Sequence, residues 1–373
     1  MARYYIIAGE ASGDMHAANL MQEIMQRDSH ASFRFWGGDR MAAVGGKPVR
    51  HISDLAFMGF WEVAVNIRTI MRNIRFCKQD ILAYHPDVII LVDYPGFNLR
   101  IAAFAHSQKF KVVYYVSPQI WAWKQSRISK IRRYVDRMLV ILPFEKAFYA
   151  RHGMEVAFPG HPLLDEMEKI TAYPEKTAFY ESNKLPQKPI VALLPGSRKQ
   201  EISRMLGRMV AVAAYFPEYQ FVVAGVPAFG TCFYNQYFSK ANVSLVYNQT
   251  YALLHHASAA LVASGTATLE TALIGTPQVV CYKANRISYH IARKLVKVKY
   301  ISLVNLIMDK PMVTELIQDG FSRQALVGEL DSVLHDEGVR KTILQGYEDL
   351  KRLLGGGGAS ARAAEIVTDL ITT

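Results

Sequence analysis

The chain has 373 residues, half of them apolar and a fifth charged, with 43 Lys and Arg against 32 Asp and Glu. That length is more than one hydrophobic core usually fills, so two folded domains are expected, and a net charge of +11 favours an anionic partner: nucleotide, phosphorylated sugar, nucleic acid or membrane surface. Three scattered cysteines with no CxxC or Cys/His cluster argue for a reducing compartment and against structural zinc, and neither a signal peptide nor an apolar run of the ~18 residues a membrane span needs is found.

The first half alternates buried-strand patterns with helices. Arg3 to Ala8 reads as a strand, Gly9-Glu-Ala-Ser-Gly-Asp14 as a turn, and Met15 to Gln26 as a helix. That turn has neither GxGxxG spacing nor a GK[ST] ending, and Glu10 and Asp14 at its mouth suit hydroxyl groups better than a phosphate. Phe33 to Trp36 is a second strand. The apolar stretch Leu55 to Val63, with Met58, Phe60 and Trp61, precedes Arg68, Arg72, Arg75 and Lys78, which are spaced to form one basic helical stripe. An apolar knuckle beside a basic face fits contact with anionic lipid; a buried loop beside a solvated helix fits the same residues. Asp87 to Val92 is a fully buried strand that ends in Asp93, where an open α/β sheet places its ligands, so Asp93 is a candidate general base or a capping residue. Lys111 to Val116 is the next strand, followed by Ser117-Pro-Gln-Ile-Trp-Ala-Trp123 and the cations Lys124, Arg127, Lys130, Arg132 and Arg133, which suit phosphates of nucleic acid or lipid. His161 reads as a turn histidine or a base.

Residues 169–189, rich in charge and proline, are expected to connect a first domain over 1–168 to a second over 190–354. The alternation then restarts. Ile190 to Leu194 is a strand closed by Pro195-Gly-Ser-Arg198, and Ala259 to Ala263 is another, closed by Ser264-Gly265-Thr266 before a helix that ends at Gly275. Strand-to-helix turns with glycine aim free N–H groups at the mouth of a sheet, so the two turns together form a phosphate cradle with Arg198 as a bidentate donor. Glu270, one turn into its helix, is placed to accept from a sugar diol. Asn305 is the one amide in an apolar run and reads either as a base or ribose contact or as a satisfied core residue. The four glycines 355–358 stop one helix and free residues 355–373 to cross back to the first domain or to a second subunit.

Two α/β halves without a DxD pair indicate a metal-independent, two-lobed nucleotide-sugar transferase. This is the GT-B architecture, in which two Rossmann-like, doubly wound domains face a cleft. The motifs Gly9–Asp14, Asp93–Asn98, Val116–Trp123, Leu142–Tyr149, Leu194–Arg198, Ser264–Glu270 and Asn305 together resemble the lipid-A-disaccharide synthase family over residues 4 to about 310. The resemblance implies inverting transfer of 2,3-diacylglucosamine from UDP to the 6-hydroxyl of 2,3-diacylglucosamine 1-phosphate. The products are a β-1,6 disaccharide and UDP, with no metal and no cofactor. It also implies Asp93 as catalytic base, Arg198, Glu270 and Asn305 as UDP-binding residues, a homodimer that exchanges C-terminal segments, and a cytoplasmic enzyme held peripherally at the inner membrane. Val304 stands where the family pattern has proline. A UDP-sugar 2-epimerase shares the cradle and predicts turnover of the nucleotide sugar alone. A nucleic-acid binder predicts salt-sensitive binding that UDP does not displace.

Overall fold

A computed structural model describes residues 2–54, 67–123, 125–238, 242–285, 289, 293 and 298–372. Met58, Phe60 and Trp61, and with them the apolar knuckle, lie outside the described residues, as does Lys124. The chain divides into two compact units, Met1–Glu166 with Leu354–Thr373, and Met167–Leu353.

The first unit holds a parallel sheet of six strands: β1 (Arg3–Ala8), β2 (Ser32–Gly37), β3 (Lys47–His51), β4 (Val88–Val92), β5 (Lys111–Tyr115) and β6 (Arg137–Leu139), in the order β3-β2-β1-β4-β5-β6. The central strands are continuous apolar runs because both faces are covered. Tyr5, Ile7, Ile89, Leu91 and Tyr114 point to one core, and Tyr4, Ile6, Ile90, Val92 and Tyr115 to the other. The second core is closed by helix Ala11–Arg27 and by the C-terminal helix Ala359–Thr372, whose Ala363, Ala364 and Val367 are fully buried. The last helix thus crosses back to the first sheet. Its first turn is capped by the Asp165 carboxylate, which accepts from the backbone N–H of Ala359 at 3.0 Å and of Ser360 at 2.7 Å.

The second unit repeats the plan with β7 (Ile190–Leu194), β8 (Gln220–Gly225), β9 (Val243–Tyr247), β10 (Ala257–Ala263), β11 (Gln278–Tyr282) and β12 (Glu315–Ile317), in the order β12-β11-β10-β7-β8-β9. Counted from its own first strand, each sheet runs 3-2-1-4-5-6, the order of a dinucleotide-binding Rossmann domain. The stretch 169–189, expected as connector, instead folds onto the second sheet: Phe179 and Tyr180 of helix Lys176–Ser182, and Leu185, belong to its core. The short edge strands β3 and β12 carry no periodic apolar signal and were not legible as strands. The helix after β1 begins at Ala11, not Met15, so Gly13 and Asp14 form its first turn.

Candidate active site

In the second unit, β7 and β10 are neighbours, with Leu194 opposite Val262, so the turns that follow them open side by side where the strand order reverses. Each turn feeds a helix N-terminus, Lys199–Ala211 and Thr266–Ile274, whose unpaired N–H groups and dipoles favour an anion. Gly196 has φ +113°, and a Cβ there would stand 2.7 Å from Glu201 Oε2; Gly265 has φ +154° and faces open space. Between the turns lies a cleft of about 320 Å³, lined among others by Gly196, Ser197, Glu201, Gly265, Thr266 and Glu270.

Glu270 is half-buried and accepts from the Tyr251 hydroxyl at 2.8 Å; burial raises its carboxyl pKa, opposed by that hydrogen bond. Thr266 is exposed at the mouth. Ser264 donates its hydroxyl to Ile301 O at 2.8 Å and so ties down the neighbouring turn. The exposed Arg198 lies beside the cleft and pairs with Glu201 Oε1 at 3.3 Å, a contact that a phosphate would compete for. Asn305, in helix Leu303–Met308, is buried, and its side chain is engaged within the protein. Its Nδ2 donates to Val313 O at 2.8 Å and to Glu315 Oε1 at 2.9 Å, and its Oδ1 accepts from Val313 N at 3.0 Å. Of its two readings from sequence, the satisfied core amide is the one this geometry has. Glu315, which sequence reasoning missed, accepts from Ile301 N, Ser302 N, Ser302 Oγ and Asn305 Nδ2 and organises the whole 301–305 turn. Only its place on an edge strand makes these contacts possible.

In the first unit the corresponding switch point lies between β1 and β4, which end in register at Ala8 and Val92. Asp93 and Glu10 follow these residues. Burial, with the Glu10 carboxylate as second cause, pushes the Asp93 carboxyl up to about 7, against one opposing backbone hydrogen bond from Tyr94. The Tyr94 ring lies on the Gly9 backbone, where a Cβ would be 2.4 Å from its Cγ. Asp14 is placed differently from the expectation. It is buried and accepts from the backbone N–H of Gly38 at 2.6 Å, Arg40 at 3.1 Å and Met41 at 3.2 Å, holding the start of helix Asp39–Val44. The Trp121 loop after β5 is anchored by a second residue missed from sequence. The buried Glu145 accepts from Trp121 Nε1 at 3.1 Å and Leu142 N at 3.0 Å, and burial pushes its carboxyl up to about 7. His161 is a buried turn residue whose Nδ1 accepts from Leu163 N at 3.2 Å.

Arg68, Arg72 and Arg75 are exposed on helix Ile67–Tyr84, and Lys130 on helix Ile128–Tyr134. On the same helix Met71 and Phe76 are 50% and 38% exposed, one to each side of the arginine stripe, with the Arg50 guanidinium 5.3 Å from the Phe76 ring. No helix among the described residues is long and apolar enough to cross a membrane. Among the same residues no group of three or more His, Cys, Asp or Glu is arranged to hold a metal ion.

Comparison with known proteins agrees with this frame. A solved UDP-GlcNAc 2-epimerase from Neisseria meningitidis, bound to UDP-GlcNAc, superposes with a TM-score of 0.68 at 13% identity over 100% of both chains. The glycotransferase of kitacinnamycin does so with 0.69 at 14% identity over 99% of each. At such identities the likeness is one of fold, and the fold is GT-B. In sequence, the lipid-A-disaccharide synthase of Syntrophus aciditrophicus (strain SB) is 38% identical over 98% of this chain and 97% of its own length. The family model described as lipid-A-disaccharide synthetase matches residues 4–364. The chain therefore belongs to the lipid-A-disaccharide synthase family of glycosyltransferases.

Proposed function

We infer that this enzyme transfers 2,3-diacylglucosamine from UDP to the 6-hydroxyl of 2,3-diacylglucosamine 1-phosphate, forming the β-1,6-linked lipid A disaccharide 1-phosphate and releasing UDP. The observation that carries this reading is the near full-length family match on a doubled Rossmann frame whose second unit opens a cleft between two helix N-termini. In one displacement step Asp93 accepts the proton of the acceptor hydroxyl. That oxygen bonds to the anomeric carbon, and the bond to the diphosphate breaks with its electron pair leaving on UDP. Arg198 and the N–H groups at Lys199 and Thr266 neutralise the charge that grows on the leaving group, and Glu270 accepts from the ribose hydroxyls. Ser264, Gly265 and Thr266 shape the cradle. Asn305 contributes through the turn it holds, and Glu10 through the field it places on Asp93.

The lipid tails call for an apolar, positively charged surface. The exposed Met71 and Phe76 flanking Arg68, Arg72 and Arg75, with Lys130 on a second basic helix, support peripheral attachment to an anionic bilayer. A homodimer formed by exchange would replace the contacts of helix Ala359–Thr372 with the same contacts from a second copy.

The test is incubation of purified protein with both lipid precursors, watching for UDP and disaccharide together. UDP or an epimerised sugar formed without acceptor overturns the transferase reading in favour of an epimerase. Asp93→Asn is expected to retain UDP-sugar binding and lose turnover by a hundredfold or more; unchanged turnover removes Asp93 from its role.

A further inference from the structure

Beyond Val92 the chain does something unusual for residues with side chains: Asp93 and Tyr94 have φ +44° and +49°, two consecutive left-handed positions without glycine. A side chain strains the backbone at each such position, so the conformation persists only where its surroundings over-determine it. The surroundings here are two buried side chains that converge on one atom, the Asp93 carbonyl oxygen. The Tyr114 hydroxyl, from β5, donates to it at 2.5 Å, and the Asn98 amide, from helix Pro95–Ser107, donates at 2.8 Å. Asn98 Nδ2 also lies 3.2 Å from Val92 O and 3.4 Å from Ile7 O, so three carbonyl oxygens fix which way its amide points. Both residues are wholly buried. Tyr114 lies opposite Leu91 on the neighbouring strand, which brings its hydroxyl level with the end of β4. A phenylalanine would fill the same core volume, and the hydroxyl adds a grip on Asp93.

We propose that Tyr114 and Asn98 are positioning residues for the reaction: they clamp the Asp93 carbonyl, hold the left-handed turn, and thereby aim the Asp93 carboxylate. The proposal rests on Asp93 being the base. With the backbone gripped from the sheet and from the helix, the carboxylate cannot relax toward water by rotation about its own peptide. Its neighbours remain the Glu10 carboxylate, from the turn after β1, the Tyr94 backbone N–H, and the Tyr114 hydroxyl from β5. A displacement of about 1 Å at a reacting group is enough to lower a rate about a hundredfold.

The experiment compares Tyr114→Phe, Asn98→Leu and Asp93→Asn in the full-length enzyme, with kcat, the donor KM, thermal unfolding and the pH profile of kcat for each. Asn98→Leu is close to the same size, removes the donor shared by three carbonyls and adds no charge beside Asp93. Expected for the two clamp variants is a kcat at least tenfold lower with donor KM within twofold. The acid limb of the profile should move to lower pH by roughly half a unit or more as the freed carboxylate gains water. A general loss of structure lowers the active fraction and leaves that limb in place. If either clamp variant is folded and keeps kcat within twofold with an unmoved limb while Asp93→Asn is inactive, the clamp is overturned and the base assignment stands. If Asp93→Asn turns over normally, the base assignment falls and takes the clamp with it.

Discussion

Asp93 is where residue-scale physics and chemistry meet. Burial and the facing Glu10 carboxylate push its carboxyl up to about 7, near the value at which a base is both deprotonated and strong enough to take a hydroxyl proton. Because the deprotonated form is the active one, kcat/KM should rise with pH through about 7. A Glu10→Gln variant should shift that limb downward, read from a rate profile between pH 5 and 9. The same shift opposes stability. The folded state binds its proton more tightly than the unfolded one, so Asp93 destabilises the fold progressively as pH rises from the ordinary carboxylate range toward 7. Asp93→Asn should therefore unfold at a temperature a few degrees higher than the parent at pH 8 and show no such gain at pH 4. Sequence alone placed Asp93 at a strand end. The two left-handed residues, the approach of Glu10 and the grip of Tyr114 depend on strand neighbours up to 80 or more positions away, which no local pattern reports.

At the scale of elements, the donor cradle is two strand-to-helix turns plus one ledge. The turns were legible from sequence because glycine after an apolar run has a local cause: Gly196 and Gly265 sit at positive φ that a side chain strains. Gly196→Ala is expected to destabilise the second unit by about 1–3 kcal/mol and to weaken UDP binding at least tenfold, measured by calorimetry. The ledge is the 301–305 turn, and at Asn305 the sequence left two readings open. An isolated amide in an apolar run is ambiguous until its partners are known, and here they are Val313 and Glu315. Glu315→Ala leaves the Ile301 and Ser302 donors without an acceptor. It should cost about 1–3 kcal/mol of stability and loosen the turn that holds Ser264, with UDP affinity falling while Asp93 keeps its pH profile. Unchanged UDP affinity would detach this ledge from the donor site.

At the scale of the whole molecule, the first unit is closed by the far end of the chain. His16 and His161 lie buried there, near the Asp165 carboxylate that caps the last helix. Burial holds their imidazoles down, to about 4 and about 3, so both are neutral in the folded state. An unfolded histidine titrates near ~6.5. Between that value and the folded ones the unfolded chain binds more protons, so the stability these groups contribute is present above ~6.5 and lost as pH falls. The unfolding temperature should decline steadily from pH 7 to 5, and His16→Gln should flatten that decline whatever its effect at pH 7. A slope identical to the parent's would show that His16 is not the titrating group. The positive net charge acts over the whole surface: binding to anionic vesicles should weaken steeply with added salt, and replacing Arg68, Arg72 and Arg75 by glutamine should abolish most of it.

What the sequence determined by itself was everything with a local cause. Doubly covered strands are apolar without alternation, turns that open onto a ligand need glycine, and these signals in order mark two Rossmann-like halves and the family. What only the tertiary structure decided was how long-range partners share polar atoms and surface. Asp14 went to a helix start, Asn305 to a loop, residues 169–189 to the second core, and the last helix to the first sheet, where Ala363, Ala364 and Val367 cover a face that nothing nearby in the chain can reach. A side chain's type limits which bonds it can make. Which of them forms is settled by competition among groups that only folding brings within 3 Å or so of each other.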